Sequence, residues 1–83
     1  MTPAEQMIEY LRVKVLENPA ADIGEETPLV SSGLIDSFAL IDVLLRLEKV
    51  TSRKISPGKV SPRDMDTVRL MLATAERVGK PQI

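Results

Sequence analysis

Apolar positions recur along this chain at helical spacing, in stretches separated by clear breakers. Near the start, Ala4, Met7, Ile8, Leu11 and Val15 fall on one helical face. Thr2-Pro3-Ala4-Glu5 has the form of a capping box with proline at the first helical position, and Asn18-Pro19 ends the stretch. This pattern predicts a first helix over about residues 3 to 17. A second helix is predicted to start at Asp36 or Ser37 and to run to about Val50. Its Leu40, Val43, Leu44 and Leu47 form one arc that should face a core. Ser61-Pro62-Arg63-Asp64 repeats the capping-box grammar and opens a short third segment. A final helix follows Asp66-Thr67, with Val68, Met71, Leu72, Ala75 and Val78 on one face, and ends at Gly79. Lys80 to Ile83 are expected to fray.

Residues 18 to 36 follow neither period and contain Pro19, Gly24, Pro28 and Gly33. They read as a long loop, which in a compact domain tends to be functional. Leu29, Val30, Leu34 and Ile35 are expected to pin it to the helices. The expected fold is all-α: a bundle of three main helices plus one short helix, with the long loop between helices 1 and 2. Residues 1–83 form a single domain in this reading, with an ordered core over about residues 3 to 79.

The second helix carries more apolar surface than a small core requires. Phe38, Ile41 and Leu45 make a second strip, displaced by more than a quarter turn from the core-facing arc. Ser37 lies at the edge of this strip, one turn before Ile41. Such a strip is either a binding surface or a face buried under the long loop, and periodicity alone leaves both open.

Composition narrows the chemistry. Tyr10 and Phe38 are the only aromatic residues, so the core rests on aliphatic side chains and Met, which suits packed helices. The chain has no Cys and no His. That removes disulfides, the usual zinc and copper ligands, and the Ser-His and Cys-His nucleophile pairs. Twelve acidic residues against eleven basic ones, with no basic stripe, argue against a nucleic-acid partner. Neither a leader pattern nor a membrane-length apolar run is present in the sequence, and the expectation is a soluble, cytoplasmic protein without membrane insertion.

One short motif stands out against this background. In Gly33-Leu34-Ile35-Asp36-Ser37-Phe38, Asp-Ser alone is ordinary helix-capping chemistry. A helix N-terminus is also a favourable place for a phosphate, through its free N–H groups and dipole. Taken with the apolar helix that ends in Leu47-Glu48 and the layout over residues 4 to 78, the motif resembles the attachment site of acyl and peptidyl (aminoacyl) carrier proteins.

The resemblance implies a non-catalytic carrier. Ser37 would bear a covalent 4′-phosphopantetheine arm donated by coenzyme A, and Asp36 would help a phosphopantetheinyl transferase place its metal ion and the serine hydroxyl. The arm would supply the thiol that the sequence lacks. Phe38, Ile41 and Leu45, with acidic Asp42 and Glu48, match the family's partner-contact positions. Implied partners are the transferase, a loading ligase or adenylating enzyme, and downstream acyl-transferring enzymes, visited by a monomeric carrier. Arg46 and Lys49 dilute the acidity usual in general fatty acid carriers, and Thr51-Ser52-Arg53-Lys54-Ile55 lacks their Phe-Gly-Ile-like run. The Asp36-Ser37-Phe38 form, with a relatively uncharged helix, looks closer to specialised carriers of aminoacyl groups, D-alanine or a single secondary-pathway cargo. The alternative is an unmodified helical interaction module that uses the Phe38/Ile41/Leu45 strip.

Overall fold

A computed structural model of the chain describes residues 1–81. Its first helix, α1 (Pro3–Tyr10), begins as the sequence predicts. Glu5 N–H donates to Thr2 Oγ1, and Thr2 N–H donates to Glu5 Oε1, at 3.1 and 3.0 Å. The helix then widens into a π-helical stretch at Leu11–Val15 and ends short of residue 17. Leu16 N–H reaches back to the Leu11 carbonyl at 2.8 Å, five residues away. Met7 and Leu11 are fully buried, while Ala4, Ile8 and Val15 pack at the core's margin.

Helix α2 spans Ala39–Thr51, two to three residues later than the sequence suggests. The difference is one of capping. Asp36 Oδ1 accepts the Ala39 N–H at 3.0 Å, so Ser37 and Phe38 occupy a capped first turn that lacks regular helical bonding. Val43, Leu44 and Leu47 are buried and Leu40 is half-buried, as the arc requires. The helix closes at Ser52, a left-handed residue (φ 55°) whose N–H donates to the Glu48 carbonyl.

After α2 come a short strand, β1 (Arg53–Lys54), and two 3₁₀ turns at Pro57–Lys59 and Pro62–Met65. Ile55 is buried and anchors this segment to the core. Helix α3 (Val68–Val78) is capped by Thr67, whose Oγ1 accepts the Leu70 N–H at 3.0 Å. Its Val68, Met71 and Ala75 fill the core that α1 and α2 enclose. Thr74 joins them, its hydroxyl directed at the Asp64 carbonyl.

Residues 80–81, expected to fray, are paired instead. Lys80–Pro81 forms strand β2, antiparallel to β1 with Lys54 opposite Lys80. Gly79 makes this possible through close approach, not through a left-handed conformation. A Cβ there would collide with the Ala75 carbonyl and crowd Arg53. The expectation of fraying at Gln82 and Ile83 lies outside the described residues. The architecture is thus mostly helical with one small two-stranded sheet, which the sequence pattern did not predict.

The long loop is tied by the Arg69 N–H to the Glu25 carbonyl at 2.9 Å and, further along, chiefly by one carboxylate. Asp66 Oδ1 accepts the N–H groups of Leu29, Val30 and Ser31 at 3.2, 2.8 and 2.8 Å. Asp66 Oδ2 accepts the Ser31 hydroxyl at 2.9 Å. The Leu29 N–H also approaches the Asp66 backbone carbonyl at 2.7 Å, and the Ile35 N–H returns to the Leu29 carbonyl at 3.0 Å. Leu29 and Ile35 are buried and Val30 half-buried. Leu34 departs from expectation: it is exposed and contributes nothing to the anchoring.

These bonds favour the charged carboxylate, so Asp66 is held below the usual aspartate range, chiefly by the Ser31 backbone and hydroxyl. Asp64 is lowered mainly by the Ser61 N–H and Glu5 by the Thr2 N–H. A carboxylate depressed in the folded state contributes stability above its unfolded pKa and loses it as pH falls through the folded value. The melting temperature should therefore stay level from neutrality down to about pH 4 and drop below it. In Asp66→Ala it should be several degrees lower at neutral pH, with a shallower acid decline. Equal acid slopes in the two proteins would remove Asp66 from this account.

Candidate functional site

Ser37 is exposed in the capped turn that opens α2, and its hydroxyl makes no hydrogen bond among the described residues. The capping is done entirely by its neighbour Asp36. Two elements fix this position. The Asp66-anchored loop delivers buried Ile35, which immediately precedes the Asp36-Ser37 pair, and α2 carries the chain away. Among the described residues, the Ser37 hydroxyl thus takes no part in holding the fold through a hydrogen bond.

Of the two readings left open for the second apolar strip, the loop-covered one is excluded. Phe38, Ile41 and Leu45 are 87, 67 and 58 % exposed. The only phenylalanine of a chain almost without aromatics is thus spent on the surface. Burying such a ring is worth roughly 1.5–3 kcal/mol, which makes its exposure a cost to the isolated domain.

The charges of α2 are arranged differently from the sequence expectation. Glu48 does not stand free for a partner. It is half-buried, and its Oε2 accepts the Ile55 N–H at 2.7 Å, fastening the segment after the helix. Arg46 lies 4.7 Å from the centroid of the Tyr10 ring, joining α2 to α1 through a cation–π contact. Partial burial, and then the charge of Asp42, push the Tyr10 hydroxyl upward against the opposing effect of Arg46. Asp42 and Lys49 are left as the exposed charges of α2, one of each sign. The strip is apolar and electrically balanced.

A groove of about 180 Å³ opens beside Ser37. Leu40, Ile41 and Leu44 of α2 form one wall, and Val60, Pro62 and Met65 from the 3₁₀ segment form the other. The proximity of the 3₁₀ segment to Ser37 was not legible in the sequence. Pro57 and Pro62 inside a run without periodicity were the only hint of a rigid wall there.

Among the described residues no cluster of His, Cys, Asp or Glu suits a metal ion, and no helix is long and apolar enough to cross a membrane. No family model, curated protein or solved structure matches the chain.

The exposed strip and the buried arc predict opposite responses to mutation. Leu45→Glu should change stability by no more than about 0.5 kcal/mol, as at an ordinary surface site. Leu47→Ala, two residues on, should cost about 2–5 kcal/mol. Urea unfolding of both variants checks the pair. A Leu45→Glu protein as damaged as Leu47→Ala would place the strip in the core.

Proposed function

We propose that this chain is a carrier protein that holds acyl or aminoacyl cargo as a thioester on a phosphopantetheine arm attached to Ser37. The observation that carries the reading is the junction at Ser37. A hydroxyl with no hydrogen bond among the described residues stands just before α2, beside an exposed apolar strip and an apolar groove that share Ile41. The residues suit such an arm. Ser37 is open to an incoming transferase, the helix start favours a phosphodiester through its N–H groups, and the groove offers apolar contact beyond it. The order of elements, with three helices, a long anchored loop and two 3₁₀ turns before the last helix, supports a carrier-type bundle.

In this reading the Ser37 oxygen forms the new bond to the phosphorus of coenzyme A nearest the pantetheine. Adenosine bisphosphate departs, and the serine proton passes to a base of the transferase. Once attached, the arm supplies a terminal thiol for thioester chemistry. Asp36 has a double role. Its Oδ1 caps the Ala39 N–H, while its Oδ2 makes no hydrogen bond among the described residues and is open to the transferase's metal ion. Phe38, Ile41 and Leu45 dock partners through apolar contact. The balance of Asp42 and Lys49, with Glu48 turned inward, accords with a specialised carrier whose partners are not selected by a strongly acidic face. Arg46 belongs to the Tyr10 contact and not to that face.

The rival reading, an unmodified interaction module, uses the same strip but gives Ser37 no purpose. Intact mass separates the two. Incubation with coenzyme A, Mg²⁺ and a broad-specificity phosphopantetheinyl transferase should add one phosphopantetheine to the wild type and none to Ser37→Ala. The variant should keep its helical circular dichroism, because Asp36 still caps α2. No gain on folded wild-type protein with several transferases would favour the interaction module.

A further inference from the structure

Charge is distributed unevenly along the chain. Residues 17–48 hold seven acidic residues and one basic one, whereas residues 49–63 hold five basic residues and no acidic one. The fold gathers part of the basic stretch at the end of α2 remote from Ser37. Lys49 is exposed in the last turn of the helix, and the β1–β2 ribbon sets Lys54 directly opposite Lys80. Cross-strand partners project from the same face of a ribbon, so two exposed ammonium groups share one side of it. Like charges in opposite positions destabilise a pairing, and strands of two residues have little to offset the repulsion. Among the described residues the ion pairs are Arg69–Glu26 and Arg77–Asp64, so no carboxylate relieves Lys49, Lys54 or Lys80. Glu48 is committed to the Ile55 N–H. Glu76 lines a depression with Arg53, whose guanidinium donates to the Gly79 carbonyl at 3.3 Å.

We infer that this basic end of the domain, formed by Lys49, Lys54 and Lys80, is a docking face for an acidic polypeptide segment. A carboxylate seated between Lys54 and Lys80 converts one repulsion into two attractions, and Lys49 extends the face along α2. Lysines also guard open strand edges against other chains, and that role alone would leave the face without a ligand. The surroundings select a polypeptide over other anions. Among the described residues, no large exposed apolar side chain lies in residues 49–63 or 79–81, so the face has nothing to insert into a membrane. Tyr10 and Phe38, the only aromatics, lie outside it, so nucleic-acid bases would find no stacking platform. Recognition through charge makes the association salt-sensitive and governed mainly by its on-rate. The helix of thirteen residues sets the face about 20 Å from Ser37, so a docked segment leaves the serine and the apolar strip open. The face stands whether or not Ser37 carries an arm.

A fluorescent octaglutamate peptide, titrated into the full chain and followed by anisotropy and amide NMR, tests this. At low salt it should bind and shift the signals of Lys49 to Ile55, Gly79 and Lys80, leaving those of Ser37 to Leu45 in place. Affinity should fall about tenfold at about 0.2 M salt. The double variant Lys54→Gln/Lys80→Gln should weaken binding about tenfold. Arg12→Gln/Lys14→Gln, which has the same net charge, should weaken it less than about twofold. The melting temperature of Lys54→Gln/Lys80→Gln should hold or rise, because a repulsion is removed.

Equal losses in the two double variants, or shifts spread over all basic residues, would reduce the effect to net charge and overturn the inference. Absence of binding at low salt would do the same. Tighter binding to phosphatidylserine vesicles or to single-stranded DNA, lost in Lys54→Gln/Lys80→Gln, would overturn it in favour of that partner. A dimer in sedimentation velocity, lost in the same variant, would overturn it in favour of a second copy of this chain. A lower melting temperature in that variant would give the two lysines a structural duty and remove the repulsion on which the docking face rests.

Discussion

The Asp66 carboxylate sets the conformation on which everything near Ser37 depends. A segment as long as residues 18–36 carries many backbone groups that no helix or sheet satisfies, and left alone it would sample many conformations. Three of its consecutive N–H groups converge on one carboxylate oxygen, and a serine hydroxyl takes the other. Charge-assisted bonds of this kind are the stronger class. They also act over a sequence separation of 35 to 37 residues, so they tie the loop to the start of α3 and not to its own neighbours. With Leu29 held, its carbonyl receives Ile35, and burial of Ile35 fixes where Asp36 and Ser37 emerge.

From that emergence the division of labour within α2 follows. Its arc of Val43, Leu44 and Leu47 is committed to the core, and Arg46 and Glu48 are committed to Tyr10 and Ile55. What remains for the outside world is narrow: an apolar strip, one exposed charge of each sign, and a serine at the helix start. The groove adjoins this strip at Ile41 and adds further apolar surface beside Ser37. A domain this small has little core to spare for such exposure. Capping at Thr2, Asp36 and Thr67 and the fastening of the loop supply part of the compensation.

Local signals in the sequence were read well and distant ones poorly. Helical periodicity located all three helices, and the Thr2-Pro3-Ala4-Glu5 box gave the start of α1 because capping is decided within four residues. The core arc of α2 and the anchors Leu29, Val30 and Ile35 were equally legible. The end of the first helix was not, since a π-helical widening leaves the apolar pattern almost unchanged. Glu48 looked like a free surface acid because only the returning Ile55 amide reveals its duty. Asp66 looked like a helix-start residue, and nothing nearby discloses its bonds to the loop. The β1–β2 pairing likewise joins segments far apart in the chain, and its one local clue, Gly79, read instead as a helix stop. At the site, Ser37 and the strip followed from position and periodicity, whereas the groove wall required tertiary structure.

The β1–β2 ribbon also settles an architectural matter. It brings Pro81 against Arg53, at the opposite end of α2 from Ser37. A helix of thirteen residues separates the two points by about 20 Å. Pro81 is therefore held at the end of α2 remote from the turn that carries Ser37. A label on exposed Lys54 or Lys80 of this ribbon would stand clear of that turn.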